Sequence, residues 1–247
     1  LQSVAPADVQ TVNEMKQWLL QSKRTQAWDT PVNSVNAVYA FFGGNAESLG
    51  ASKPMAVLKL NGQTLVMPKA TAGMGYVKTA KTGEKMKTLS IEKQTDGTSW
   101  GAVYAQFVQP TADVADAAEG MSVVREVLKN GKRIATDGET LAVGDRITVR
   151  IVINADRDYD FVQLADRRAA CLEPLGQLSG YRDDCYCEPK DNATNYYFDR
   201  LSKGKHVVET EYYVDRAGTY QTGTCTVQCV YSPEFGARTK AVALSVE

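Results

Sequence analysis

Apolar residues change their spacing along this chain, and each change marks a new kind of element. Between residues 7 and 23 they recur every three or four positions, at Val9, Val12, Met15 and Leu19, with Asp8, Asn13, Glu14, Lys16 and Gln17 in between. That spacing predicts an amphipathic helix. A second helix is predicted from Pro31. Thr30 supplies an N-cap, and Pro31 suits the first helical position because its missing N–H has no partner to lose. Val32, Val35, Val38, Phe41 and Phe42 form its stripe, and Gly43-Gly44 ends it. Two helices this short enclose little core. Trp18, Leu19 and the 32–42 stripe are therefore expected to need further packing partners.

Beyond residue 44 the pattern turns to short alternating runs. Strands are predicted at 55–60, 64–67, 75–80, 87–94 and 99–108. They are separated by Asn61-Gly62, Thr71 to Gly73, Thr82-Gly83 and Asp96-Gly97, which are hairpin chemistry. Gly73-Met74-Gly75 falls in such a turn. Residues 45–112 read as a small antiparallel β domain. The run QPTADVADAAEG, 109–120, is poor in apolar residues and reads as a connection between domains.

From Met121 onward strands are predicted at 121–129, 140–143, 146–154, 159–166, 193–200, 205–215, 218–231 and 239–246. Ile147, Val149, Ile151 and Ile153 alternate with Thr148, Arg150 and Val152, as in a strand that buries one face. Two stretches anchor this region, 166–181 and 224–235. They hold three of the five cysteines, and each runs from an apolar strand into a Pro-containing turn. The predicted fold is mostly β: an N-terminal helix pair, a small antiparallel β domain, and an immunoglobulin-like β-sandwich over 121–247.

Lys+Arg number 28 against 29 Asp+Glu, a formal net charge of -1, so no basic surplus points to nucleic acid. No apolar run approaches the ~18 residues of a membrane helix. The chain begins at Leu1 without a signal-like segment, which reads as a mature protein or an excised piece of a longer one.

Candidate catalytic groups are sparse. The single histidine, His206, enters the strand HVVETEYYV and alternates with Val208, Thr210 and Tyr212, a structural placement. Without a second imidazole or a G-x-S-x-G motif, nucleophilic catalysis has one fragile candidate. Asp156, Asp158 and Asp160 have half the spacing of a calcium loop but lack its Gly and distal Glu, and Asp183-Asp184 form a second acidic pair. No glycine-rich phosphate loop is present, and no cofactor or metal is expected.

All five cysteines lie between Cys171 and Cys229. Their spacings are not those of a zinc site, and such clustering fits disulfides in an oxidising compartment, with unpaired buried thiols as the plainer reading. In one strand Cys225 and Cys229 sit about 13 Å apart, beyond the roughly 4.4–6.8 Å Cα separation of a disulfide. They do not pair with each other. Cys171, Cys185, Cys187 and Cys225 are the disulfide candidates, and Cys229, beside Val227 and Tyr231, is the expected free buried thiol.

Three segments carry a family resemblance: VGDRITVRIVINADRDYDFVQLADRRAACLEPLGQLSGY (143–181), NYYFDRLSKGKHVVETEYYVDRAGTYQTG (195–223) and VYSPEF (230–235). Together they resemble the terminal, receptor-binding-type domain of bacterial alpha-2-macroglobulins. Upstream, TQAWDTPVNSVNAVYAFF (25–42) is similar to the closing helices of that family's thioester-bearing toroid. The resemblance implies that 1–44 ends the toroid, 45–112 is part of a CUB-type domain and 121–247 is the terminal macroglobulin domain. It also implies a non-catalytic role in a protease-trapping protein of the periplasm or outer-membrane-anchored envelope, with a lipoprotein parent. The partners would be proteases, met through the parent, and other domains of the same chain. The cysteines at 171, 185, 187 and 225 depart from the family pattern. A competing reading is a surface adhesin or glycan-binding module using Tyr181, Tyr186, Tyr196 and Tyr197.

Overall fold

Helix α1 spans Val9–Thr25. It starts two residues later than the apolar spacing predicts because Asp8 stands outside it as a cap, its Oδ1 accepting from Thr11 N at 3.2 Å. Lys23 and Arg24 in the last turn suit the negative end of the helix dipole. Helix α2 spans Pro31–Phe42, with Thr30 Oγ1 accepting from Asn33 N at 3.1 Å and Gly43 closing the helix at φ 66°. A left-handed residue at that place is why glycine is found there.

The structure is a computed structural model that describes residues 1–43, 56–68, 77–83, 85–94, 99, 101–134 and 139–247. The chain divides into two units. The first comprises Leu1–Leu20 and Trp28–Tyr104, and the second Gln21–Ala27 and Ala105–Glu247.

In the first unit, strands β1 (Val57–Leu60), β2 (Gln63–Thr64) and β3 (Leu89–Glu92) form an antiparallel sheet in the order β2-β1-β3. Asn61 and Gly62 make the β1–β2 turn at positive φ, as their sequence predicts. The Asn61 side chain then accepts from Lys87 N at 2.8 Å and Thr88 N at 3.2 Å, which delivers the chain into β3. Residues 77–80 and 101–108 form no strand, and 101–108 are exposed. Their alternation is loose, and among the described residues no ladder partner lies beside them. The turns predicted at Thr71 to Gly73, Gly73-Met74-Gly75 and Asp96-Gly97 lie outside the described residues.

The second unit is a sandwich. Its strands are β4 (Ala117–Glu119), β5 (Met121–Lys129), β6 (Lys132–Arg133), β7 (Thr140–Leu141), β8 (Arg146–Ala155), β9 (Tyr159–Arg167), β10 (Leu172–Pro174), β11 (Gly180–Arg182), β12 (Cys185–Pro189), β13 (Ala193–Leu201), β14 (Gly204–Val214), β15 (Gly218–Gln221), β16 (Cys225–Cys229), β17 (Ser232–Thr239) and β18 (Ala243–Val246). One sheet runs β10-β14-β8-β5-β6 and the other β11-β12-β13-β9-β16-β17-β4, with a small third sheet β15-β18-β7. The predicted alternation of β8 holds: Ile147, Val149, Ile151 and Ile153 are at most 4% exposed. They pack with Val162 and Leu164 of β9, Phe198 of β13, and Tyr212 and Val214 of β14 in one continuous core.

Several strands run differently from the prediction: β10, β11 and β12 lie where none was predicted, and β17 covers Ser232–Thr239, where a Pro-containing turn was read. The 109–120 segment is not wholly a connection, because Ala117–Glu119 add an edge strand to β17 through Gly236↔Glu119 and Arg238↔Ala117. The predicted strand 218–231 is broken at 222–224. Its first part pairs with β18 and its second with β9 and β17, so the chain changes sheets there.

Candidate functional site

The break at 222–224 is organised by Arg125 of β5. Its Nη2 donates to Thr222 Oγ1 (2.7 Å), Gly223 O (3.0 Å) and Lys240 O (3.3 Å), and its Nη1 to Asp166 Oδ1 (2.9 Å) and Arg167 O (3.3 Å). Gly223 has no room for a side chain: a Cβ there would lie 2.4 Å from Arg167 Cβ. Burial pushes the Asp166 carboxyl up and the Arg125 charge pulls it back. This polar knot is structural, with its donors and acceptors matched.

At the end of the sheet where β9 begins and the β16–β17 connection turns stands an aromatic tip. Phe161 adopts φ 57°, a strained value for a bulky side chain. Its carbonyl accepts from Val230 N at 2.8 Å, and its ring meets Tyr231 edge-on with centroids 5.3 Å apart. Phe161 is 44% exposed and Tyr231 75%. Below the tip, Ser232 Oγ donates to Arg24 O at 2.7 Å, Ala27 N donates to Asp160 Oδ2, and Arg24 pairs with Glu234. The same end of the sheet therefore clasps residues 24–27. Sequence reasoning missed the tip, because Val230-Tyr231 before Ser-Pro reads as an ordinary turn.

The acidic run is divided among protein partners. Asp156 pairs with Arg157 and accepts from Tyr159 OH at 2.6 Å. Asp158 takes Arg200 and Lys203 N, and Asp160 takes Ala27 N. Among the described residues no three His, Cys, Asp or Glu side chains converge as a metal site. His206, half-buried on the inward face of β14, donates from Nε2 to the Ser202 carbonyl at 2.7 Å, which occupies that nitrogen with backbone.

All five cysteines are buried thiols, and no disulfide is formed between Cys171, Cys185, Cys187 or Cys225. Register explains part of this. Cys187 aligns with Tyr196, Leu164 and Val227, so β12 lies three strands from β16. That places Cys185 and Cys187 about 14 Å from Cys225 and Cys229, too far to bridge. Burial raises all five thiols, Cys185 to about 11. Cys229 Sγ donates to Asp160 O at 3.4 Å.

The four tyrosines do not form one cluster. Tyr196 is 3% exposed and bonds Thr210 Oγ1 inside the core, whereas Tyr181, Tyr186 and Tyr197 lie on the outer face of the seven-stranded sheet. Adjacent residues of one strand point to opposite faces, so Tyr196 and Tyr197 part company.

Residues 120–234, which contain Arg125, the aromatic tip and the thiols, match the model of the bacterial alpha-2-macroglobulin MG10 domain. That part of the chain is similar to a domain of bacterial alpha-2-macroglobulins. Solved alpha-2-macroglobulins of Escherichia coli share its fold. The form activated by porcine elastase matches with a TM-score of 0.54 and 15% identity, over 99% of this chain and 23% of that one. The trypsin-activated form matches with 0.53 and 14%, over 92% and 16%. The native form from domain MG7 to the C-terminus matches with 0.50 and 18%, over 56% and 25%. This chain thus spans a quarter or less of the length of these relatives. No curated protein matches it.

Proposed function

We propose that this chain is a non-catalytic C-terminal portion of a protease-trapping alpha-2-macroglobulin of the bacterial cell envelope. The MG10 match over residues 120–234 carries this reading. Residues 1–44 would then close the toroid domain, 45–112 would belong to a CUB-type domain, and the sandwich would be the terminal domain of a periplasmic or outer-membrane-anchored lipoprotein. The helix pair fits that role. Trp18 is 66% exposed, and Val32 and Val35 are each 67% exposed, an apolar surface suited to neighbouring helices of a longer chain. The occupied His206 nitrogen and the divided carboxylates fit a role without bond-making chemistry.

The E. coli relatives are activated by trypsin or by porcine elastase, which indicates the assay. The parent protein is incubated with elastase. Cleavage of the parent, a shift on a native gel, and loss of elastase activity on a protein substrate but not on a small peptide substrate are expected. Elastase that digests protein substrate unhindered overturns the proposal.

A further inference from the structure

The outward face of the seven-stranded sheet carries a feature that the macroglobulin reading leaves unused. Register puts Tyr181, Tyr186, Tyr197, Gln163, Gln228 and Gly236 in one row across six strands. At about 4.8 Å per strand the row is roughly 24 Å long. Tyr181 and Tyr186 meet edge to face at 5.3 Å, and Tyr197 OH is held by Glu188 Oε2 at 3.2 Å, so the aromatic half is pre-arranged. The amide half opens into a shallow depression of about 180 Å³ lined by Gln163, Ala165, Arg167, Thr226 and Gln228. Its lining has one cation and no carboxylate, and Arg238 stands beside Thr226 in the neighbouring strand. The outward carboxylate nearest the tyrosines, Glu188, is paired with Lys190 at 2.7 Å. Glu119 lies beyond Gly236 at the far edge.

We infer that this face binds an acidic oligosaccharide. Pyranose rings would lie along the tyrosines, whose faces suit their C–H surfaces. The two glutamine amides would exchange hydrogen bonds with hydroxyls, each amide offering both donor and acceptor. A uronate carboxylate would enter the depression towards Arg167, a residue of rigid, fork-shaped donor geometry. The charge of the depression favours an acidic over a neutral chain. The scarcity of aliphatic side chains in the row disfavours an apolar helix.

The test is calorimetric titration of the 247-residue chain with hexagalacturonate and with cellohexaose, at low and at physiological salt. Hexagalacturonate is expected to bind at least about tenfold more tightly than cellohexaose, with Arg167→Gln removing most of that difference. Tyr181→Ala, at a position 76% exposed and so without effect on the core, is expected to weaken binding severalfold with an unchanged melting temperature. No binding of either sugar, equal binding of both, or binding indifferent to both substitutions overturns the inference. None of these outcomes depends on protease trapping by the parent.

Discussion

Arg125 and Asp166 reach each other across the sandwich, Nη1 to Oδ1 at 2.9 Å, with side chains only 5% and 4% exposed. One comes from the five-stranded sheet and one from the seven-stranded sheet. Removing one partner leaves the other charge buried and unpaired. Arg125→Ala or Asp166→Ala is expected to cost about 3–5 kcal/mol in denaturant unfolding. The double replacement Arg125→Met with Asp166→Leu is expected to recover only part of that loss, because the Arg167, Gly223 and Lys240 carbonyls still lose their donor. Equal and additive losses would show that the two side chains act independently.

Asp145 is expected to set part of the acid limit of the sandwich. It accepts from Lys129 Nζ at 2.5 Å and from Ala142 N at 2.8 Å, and these contacts, the lysine foremost, lower its carboxyl below the usual range. The unfolded chain therefore binds this proton more readily than the folded one. The contribution is present above the unfolded value, about pH 4, and is lost as pH falls through the lower folded value. Asp145→Asn should weaken the protein at pH 6 by about 1 kcal/mol or less and flatten the decline of melting temperature below pH 4.

The five thiols give a direct count. Alkylation of the unfolded, unreduced chain is expected to add five groups by mass, and alkylation of the native chain near neutral pH should be far slower at every one. Burial protects them sterically and also disfavours the thiolate that would react.

Phe161→Gly should be neutral or stabilising by up to about 1 kcal/mol, although it deletes a large aromatic side chain. Glycine adopts φ 57° without strain, and the lost ring is nearly half exposed. A loss of several kcal/mol in thermal or denaturant unfolding would mean that the Tyr231 contact outweighs the backbone strain.

Gly120 predicts the opposite sign. It lies at φ 71°, and a Cβ there would sit 2.2 Å from Tyr159 OH, the hydroxyl that donates to Asp156. Gly120→Ala should destabilise by more than about 1 kcal/mol in denaturant unfolding.

How legible was this in the sequence? The strict alternation of β8 and the cap residues of α2 are local signals, and both elements formed where they were expected. Ala117–Glu119 carries no such signal. Two alanines and an exposed glutamate form a strand only because β17 is there to pair with them. The break between β15 and β16 was hidden for a related reason. Alternation runs on through Gly218–Cys229, and the residue that captures Thr222 and Gly223 lies 97 and 98 positions away. The division of the four tyrosines, by contrast, was readable, since two neighbours on one strand cannot share a face. The row they complete was not, because it depends on the register of six strands.

The run from Gly218 to Cys229 serves two sheets in succession and is fastened at its midpoint by a side chain from a third. Peeling any of the three layers away would drag on the same dozen residues. The sandwich therefore has few places to pause while opening, and its terminal strands should share the lifetime of its interior rather than fray ahead of it.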